Sequence, residues 1–256
     1  MSSDDEQVNP FDVACVKLTL IYVMLFTIVL AAFGFIWFFW RDYMLISTDT
    51  IFASTKPLGE ALASVWWMFC LWPFAAFIIS AIYYKIVPQK NVVPDTDLPP
   101  GLIVLKGIYL SANAGFFEEL IYRWLVFLSA MPIAVFFNWI TFGFYKWLMV
   151  TILLPLANWA TLGTLSPQLL GSEWTIGAAV IMANAHFRDG HKGLIAHINT
   201  WLLGMVLFWL MFNYGIWAAI AAHFIYDCIA FTLYAVEMAI KRRRRKNSYY
   251  YRHSFY

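Results

Sequence analysis

The chain has 256 residues, 62% hydrophobic, 20% aromatic and 12% charged, with a formal net charge of +2. Soluble domains run at about 45–50% apolar and about 25% charged, so this composition excludes a soluble enzyme, a disordered chain and a disulfide scaffold. The apolar content suffices for roughly eight crossings of about 20 residues. It predicts an all-α polytopic membrane protein, a single domain over residues 1–256 with about 7–8 transmembrane helices around a polar cavity.

Met1 to Gln7 is acidic, with no basic n-region and no small-residue cleavage site. The first apolar segment is therefore expected to stay in the membrane. It runs from about Val16 to Trp40 and is closed by Arg41 and Asp42. A polar loop, Ser47 to Glu60, leads to a second span over about Ala61 to Ile86. Tyr83, Tyr84 and Lys85 end that span as interfacial anchors. Pro88 to Pro100 holds four prolines and two aspartates and cannot be a helix interior.

A third apolar segment starts near Leu102, with an expected break at Gly115. The run Phe116-Phe117-Glu118-Glu119-Leu120-Ile121-Tyr122-Arg123 follows and leads on to Ile140. Lys146 to Ala160 and Trp174 to Phe187 are again apolar. Between them Thr161 to Glu173, with Gly, Pro and Ser, reads as interfacial or re-entrant. A polar run, Arg188 to Lys192, precedes spans at about Leu194 to Tyr214 and Ile216 to Ile240. Six consecutive basic residues, Lys241 to Lys246, open a tail over 241–256. The excess of Lys and Arg places that tail on the cytoplasmic side, as a stop-transfer anchor or against anionic headgroups. Cys15, Cys70 and Cys228 are scattered and odd in number, which speaks for buried thiols rather than a disulfide framework.

Ionisable groups in a span cost several kcal/mol on most estimates and are rare unless paired or functional. Lys146 and Glu237 lie near segment ends and can snorkel, as can Lys106. His197 reads as a polar residue near the interface or between helices. Glu119 and Arg123 are four apart and share a helix face, so they can form an ion pair. Glu118 is turned away by about 100° and is left free for general-base work. The same cluster also fits a purely structural charge knot between helices. His223 and Asp227 are likewise four apart. They read as an oriented imidazole, half of a metal site, or a polar pair joining helices. His186, on a third segment, completes three separate groups of costly polar residues, which one shared cavity explains best. His-Glu-x-x-His and Gly-x-Ser-x-Gly are both absent from the sequence.

The series Glu118-Glu119-x-x-x-Arg123, then His186, then His223-x-x-x-Asp227 resembles the motifs of the CAAX protease and bacteriocin-processing family, also called the Abi family. That family includes the Ras-converting endopeptidase of eukaryotes. The resemblance covers about Gly107 to Ala230 and makes 101–240 the protease-like core. It implies an intramembrane endopeptidase with Glu118, Glu119, His186, His223 and Asp227 as catalytic residues, and Glu119–Arg123 as a structural pair. Glu118 and His186 would activate a water, and His223 with residue 227 would stabilise the oxyanion. The substrate would be a membrane-anchored peptide or protein, lipidated or bearing a leader or sorting signal. The partners would be the bilayer and, at most, another membrane protein, with no nucleic acid.

Two departures stand out. Met182 occupies a position where the family has Phe, and Asp227 one where Asn is commoner. Asn donates a hydrogen bond, whereas an ionised Asp cannot. Asp227 would then be protonated, orient His223, or join Glu118, His186 and His223 as a zinc set. No cofactor is required by this reading, with Zn²⁺ the second choice. The stretch from Arg123 to His186 is longer than the family norm, which suggests an inserted hairpin over about Thr141 to Glu173. The alternative to an enzyme is a non-catalytic immunity or scaffold protein on the same fold. A small-solute transporter is weaker, since no inverted repeat is visible.

Overall fold

The computed structural model describes residues 10–86, 99–161, 173–187 and 193–253, and side chains over 16–83, 99–161, 173–185 and 193–243. Among the described residues every regular element is helical. Among the described residues five helices are long and apolar enough to cross a membrane: Val16–Tyr43, Trp66–Tyr83, Pro100–Ile140, Leu194–Tyr214 and Ile216–Arg243. These are the helices of an integral membrane protein. A shorter apolar helix covers Trp174–Ala185.

Helix α1 (Pro10–Trp40) is apolar all round. Its outward side chains, Leu20, Ile28, Phe35 and Phe38 among them, stay exposed, while Phe33 turns into the core. Such exposure suits contact with acyl chains rather than water. The second expected span is segmented into α3 (Leu58–Ser64), α4 (Trp66–Cys70) and α5 (Trp72–Ile86), after a short α2 (Thr48–Phe52). Pro73 explains the step at Leu71, because it has no N–H to give the carbonyl of Phe69.

The expected break at Gly115 is absent. Helix α6 (Pro100–Asn113), a π-helical stretch (Ala114–Val126) and α7 (Phe127–Ile140) form one 41-residue helix. At about 1.5 Å per residue it is roughly 60 Å long, twice the hydrocarbon thickness of about 30 Å. Gly115 serves packing instead. A Cβ there would lie 3.2 Å from the Ile220 carbonyl oxygen and 3.3 Å from Phe224 Cβ. At Gly107 a Cβ would collide with Phe231. Ser111, fully buried between them in sequence, returns its hydroxyl to the Gly107 carbonyl at 2.7 Å. Gly107, Ser111 and Gly115 thus form a small-residue stripe that lets the last helix approach closely.

Phe142 and Gly143, both at positive φ, turn the chain into α8 (Phe144–Leu148), a π turn (Met149–Leu153) and α9 (Leu154–Ala160). Aromatic residues crowd this turn, with Phe142 98% exposed and Trp139 and Phe144 also outward. Such a belt suits a bilayer interface. Most of the expected loop at Pro88 to Pro100 and residues 162–172 of the expected insertion lie outside the described residues, as do the run Arg188 to Lys192 and the side chain of Cys15. Cys70 and Cys228 are free.

Helix α10 (Trp174–Phe187) packs on α7 and on α11 (Leu194–Tyr214). Helix α12 (Ile216–His253) lies along α6 and continues through the basic block. Gly215, at φ +90°, makes the turn between α11 and α12, and a Cβ there would strike the Ala53 carbonyl. That turn is held from outside by Thr55, whose hydroxyl donates to the Asn213 carbonyl at 2.6 Å. The main core joins Leu125, Phe127, Leu128, Met205, Phe208 and Ala219, all essentially inaccessible.

Candidate functional site

The Glu118–Arg123 motif sits inside the π-helical stretch. Such widened turns usually occur singly and are frequent at functional sites. Glu119 and Arg123 are both fully buried, and Arg123 Nη1 lies 3.1 Å from Glu119 Oε1. Gly204 on α11 allows the guanidinium in, since a Cβ there would reach within 3.0 Å of Arg123 Nη2 and collide with Asn184 Oδ1. Arg123 also stacks over the Phe208 ring at 5.3 Å and donates weakly to the Gly204 carbonyl at 3.4 Å. Asn184 is fixed by its own bond to the Trp201 carbonyl at 2.8 Å.

Glu119 has a second partner that its sequence position does not reveal. His223 Nδ1 lies 2.8 Å from Glu119 Oε1. The other ring nitrogen, Nε2, is 3.4 Å from Asp227 Oδ2, one turn further along α12. His223 is 3% exposed, and the Asp227 side chain 24%. Both ring nitrogens face carboxylate oxygens, which accept only. The row Arg123–Glu119–His223–Asp227 therefore alternates donors and acceptors from buried core to open cavity.

Glu118, expected to be free, is half-buried and accepts a hydrogen bond from the Tyr22 hydroxyl at 2.7 Å. The sequence reading missed Tyr22, which α1 carries to the motif. Tyr22 stacks on Phe117 with ring centroids 5.8 Å apart. Thr19, one turn earlier, bonds Tyr109 and reaches Asn113 Oδ1 at 3.3 Å. The signal was present only as scattered polar residues on an apolar helix: Thr19 and Tyr22, three apart, face the motif, while Thr27 returns its hydroxyl to the Val23 carbonyl.

These groups meet at a cavity of ≈ 250 Å³. Its polar wall is Tyr22, Glu118, Asn199, Thr200, His223, Tyr226 and Asp227, and its apolar wall includes Leu18, Leu110 and Phe231. The structure thus brings Glu118, His223 and Asp227 to one space, with Glu119 and Arg123 behind His223. The side chain of His186 lies outside the described residues. Met182, one turn before it, accepts a bond from the Tyr145 hydroxyl at 3.1 Å. Lys241 pairs with Glu237 at 2.7 Å, while Lys146 is exposed beside Trp174. His197 is half-buried in the first turn of α11, and its Nδ1 has no hydrogen-bond partner among the described residues.

Among the described residues no group of three or more His, Cys, Asp and Glu side chains is arranged to hold a metal ion. Of the expected zinc set, the side chain of His186 lies outside the described residues. Both ring nitrogens of His223 lie against carboxylate oxygens, so one of them would have to leave that contact to ligate a metal. The chain matches no protein-family model, no curated protein and no solved structure. The resemblance to CAAX-type proteases therefore rests on the motif series itself.

Proposed function

We propose that the protein is an intramembrane endopeptidase of the CAAX-protease type, which hydrolyses a peptide bond of a membrane-anchored substrate with water activated by Glu118. The observation that carries this reading is the Glu118 carboxylate, aimed into a cavity it shares with His223 and Asp227 inside an apolar helical assembly. A carboxylate there is costly unless it works. Tyr22 holds it in one orientation through Oε1 and leaves the other oxygen for a water.

In the reaction Glu118 takes a proton from water as the oxygen adds to the scissile carbonyl carbon. The tetrahedral intermediate collapses when the carbon–nitrogen bond breaks, and the leaving amine takes that proton. Glu119 and Arg123 are scaffold: their buried pair holds His223, and Asp227 fixes the opposite edge of the ring. His223 is then a positioning residue whose N–H groups are committed to carboxylates. This differs from the oxyanion role that the resemblance implies. The motif order gives His186 the place of partner to Glu118 in activating the water. The finer topology belongs to the same reading: helices 144–160 and 174–187 complete a count of about seven or eight membrane segments, and the basic tail faces the cytoplasm.

The test uses full-length protein in liposomes with two fluorescence-quenched reporters, a farnesylated CAAX-type peptide and an unlipidated apolar leader-type peptide. The reading expects cleavage of at least one reporter by wild type and none by Glu118→Gln of unchanged helical content. Equal cleavage by wild type and Glu118→Gln overturns the mechanism. Silence of wild type on both reporters favours the non-catalytic scaffold.

A further inference from the structure

A hydrolytic site needs hydrogen-bond donors where negative charge develops, and the donors of this cavity can be counted. The Tyr22 hydroxyl is given to Glu118 at 2.7 Å. The Thr200 hydroxyl is given to the Ala196 carbonyl at 2.8 Å. The two ring nitrogens of His223 face Glu119 and Asp227. Glu118 and Asp227, when ionised, only accept. The Tyr226 hydroxyl faces Asn199, at 3.4 Å from its Oδ1. What is left is the side-chain amide of Asn199, which lines the cavity from α11, together with the Tyr226 hydroxyl that this amide holds by the long contact.

The orientation of that amide is chemically fixed. Trp72 Nε1 lies 2.6 Å from one terminal atom of Asn199. An indole N–H can only donate, so this atom is the carbonyl oxygen Oδ1. The other terminal atom is then the amide nitrogen, and Nδ2 donates to the Tyr226 hydroxyl at 3.2 Å. Nδ2 carries two hydrogens, and that bond uses one. The second has no partner among the described residues. Asn199 also lines an apolar groove of ≈ 310 Å³ between α5 and α11. It therefore stands in the partition between groove and polar cavity, with Trp72 bracing it from the groove side.

We infer that Asn199 is a further catalytic residue, whose Nδ2–H binds the carbonyl oxygen of the scissile bond and stabilises the oxyanion formed when water adds. It supplies from α11 the amide donor that position 227, an aspartate here, lacks. No bond to Asn199 forms or breaks, and its hydrogen bond shortens as charge moves onto the oxygen. This inference rests on the hydrolytic reading of Glu118.

The experiment measures kcat and KM on the cleaved reporter for Asn199→Leu, Asn199→Asp, and Asn199→Leu combined with Asp227→Asn, with the thermal midpoint of each in detergent. Leu and Asp both remove the donor, and Asp keeps the bond from Trp72. In the combined variant the amide introduced at position 227 can still accept from His223 while its own N–H enters the cavity. Both single variants are expected to lose about 100- to 1,000-fold in kcat with KM within about threefold. The combined variant is expected to recover at least about tenfold over Asn199→Leu. A kcat within threefold of wild type in either single variant overturns the inference. So does a loss carried by KM or by unfolding, or a combined variant no faster than the single. If Asn199→Leu is fully active while Glu118→Gln is dead, the inference falls alone. If Glu118→Gln is active, the hydrolytic reading falls and takes the inference with it.

Discussion

Arg123→Met isolates the energetics of the buried row. Arg123 and Glu119 are both inaccessible, and the guanidinium is also lodged against Gly204 and Phe208. Methionine keeps most of the stem volume but leaves the Glu119 carboxylate with the His223 ring in place of the guanidinium as its partner among the described residues. Removing one partner of a buried pair costs about 3–5 kcal/mol, because the other charge is left uncompensated. Adding Glu119→Gln removes that charge, and the double variant is expected to regain at least about 2 kcal/mol. Unfolding of full-length protein by SDS in mixed micelles, read by the fluorescence of its 13 tryptophans, measures both. An Arg123→Met cost below about 1 kcal/mol would refute the argument that the pair is a buried scaffold.

Other outcomes follow from single contacts. Tyr22→Phe removes the hydrogen bond that orients Glu118, a bond to a charged group worth about 1.5–3 kcal/mol, and is expected to lower kcat about 10- to 100-fold beyond what any fall in the thermal midpoint explains. A midpoint fall with kcat preserved would make Tyr22 structural. Gly204→Ala drives a methyl into Asn184 and Arg123 and is expected to destabilise by about 1–3 kcal/mol. An unchanged SDS midpoint would mean that α11 does not approach Arg123 so closely. Gly215→Ala combines a φ of +90° with a collision against the Ala53 carbonyl and should cost about 1–3 kcal/mol, read in the same titration.

Much of the site is visible in the sequence because charge in an apolar chain is rare enough to be informative. Glu119 and Arg123 pair across one helical turn, as spacing alone requires. His223 and Asp227 do the same on α12. What spacing cannot give is the contact between helices. Glu119 to His223 spans 104 positions, and it exists because Gly107, Ser111 and Gly115 let α12 close on the long helix. Gly115 misled the reading for the same reason: a missing Cβ marks either a break or a close approach, and only the neighbour decides. Tyr22 and Asn199 carry no charge, so nothing distinguished them from ordinary interfacial polar residues until α1 and α11 were placed against the cavity. The π-helical stretch was equally hidden, since its residues have no separate propensity signature.

The central claim is that Glu118 makes a nucleophile out of water within this cavity. The most direct measurement is reporter cleavage in ¹⁸O-labelled water with mass analysis of the new C-terminal carboxyl group. The account predicts one ¹⁸O atom per product from wild type in a single turnover, and no labelled product from folded Glu118→Gln. Product without ¹⁸O, or equal labelling by the two proteins, contradicts it.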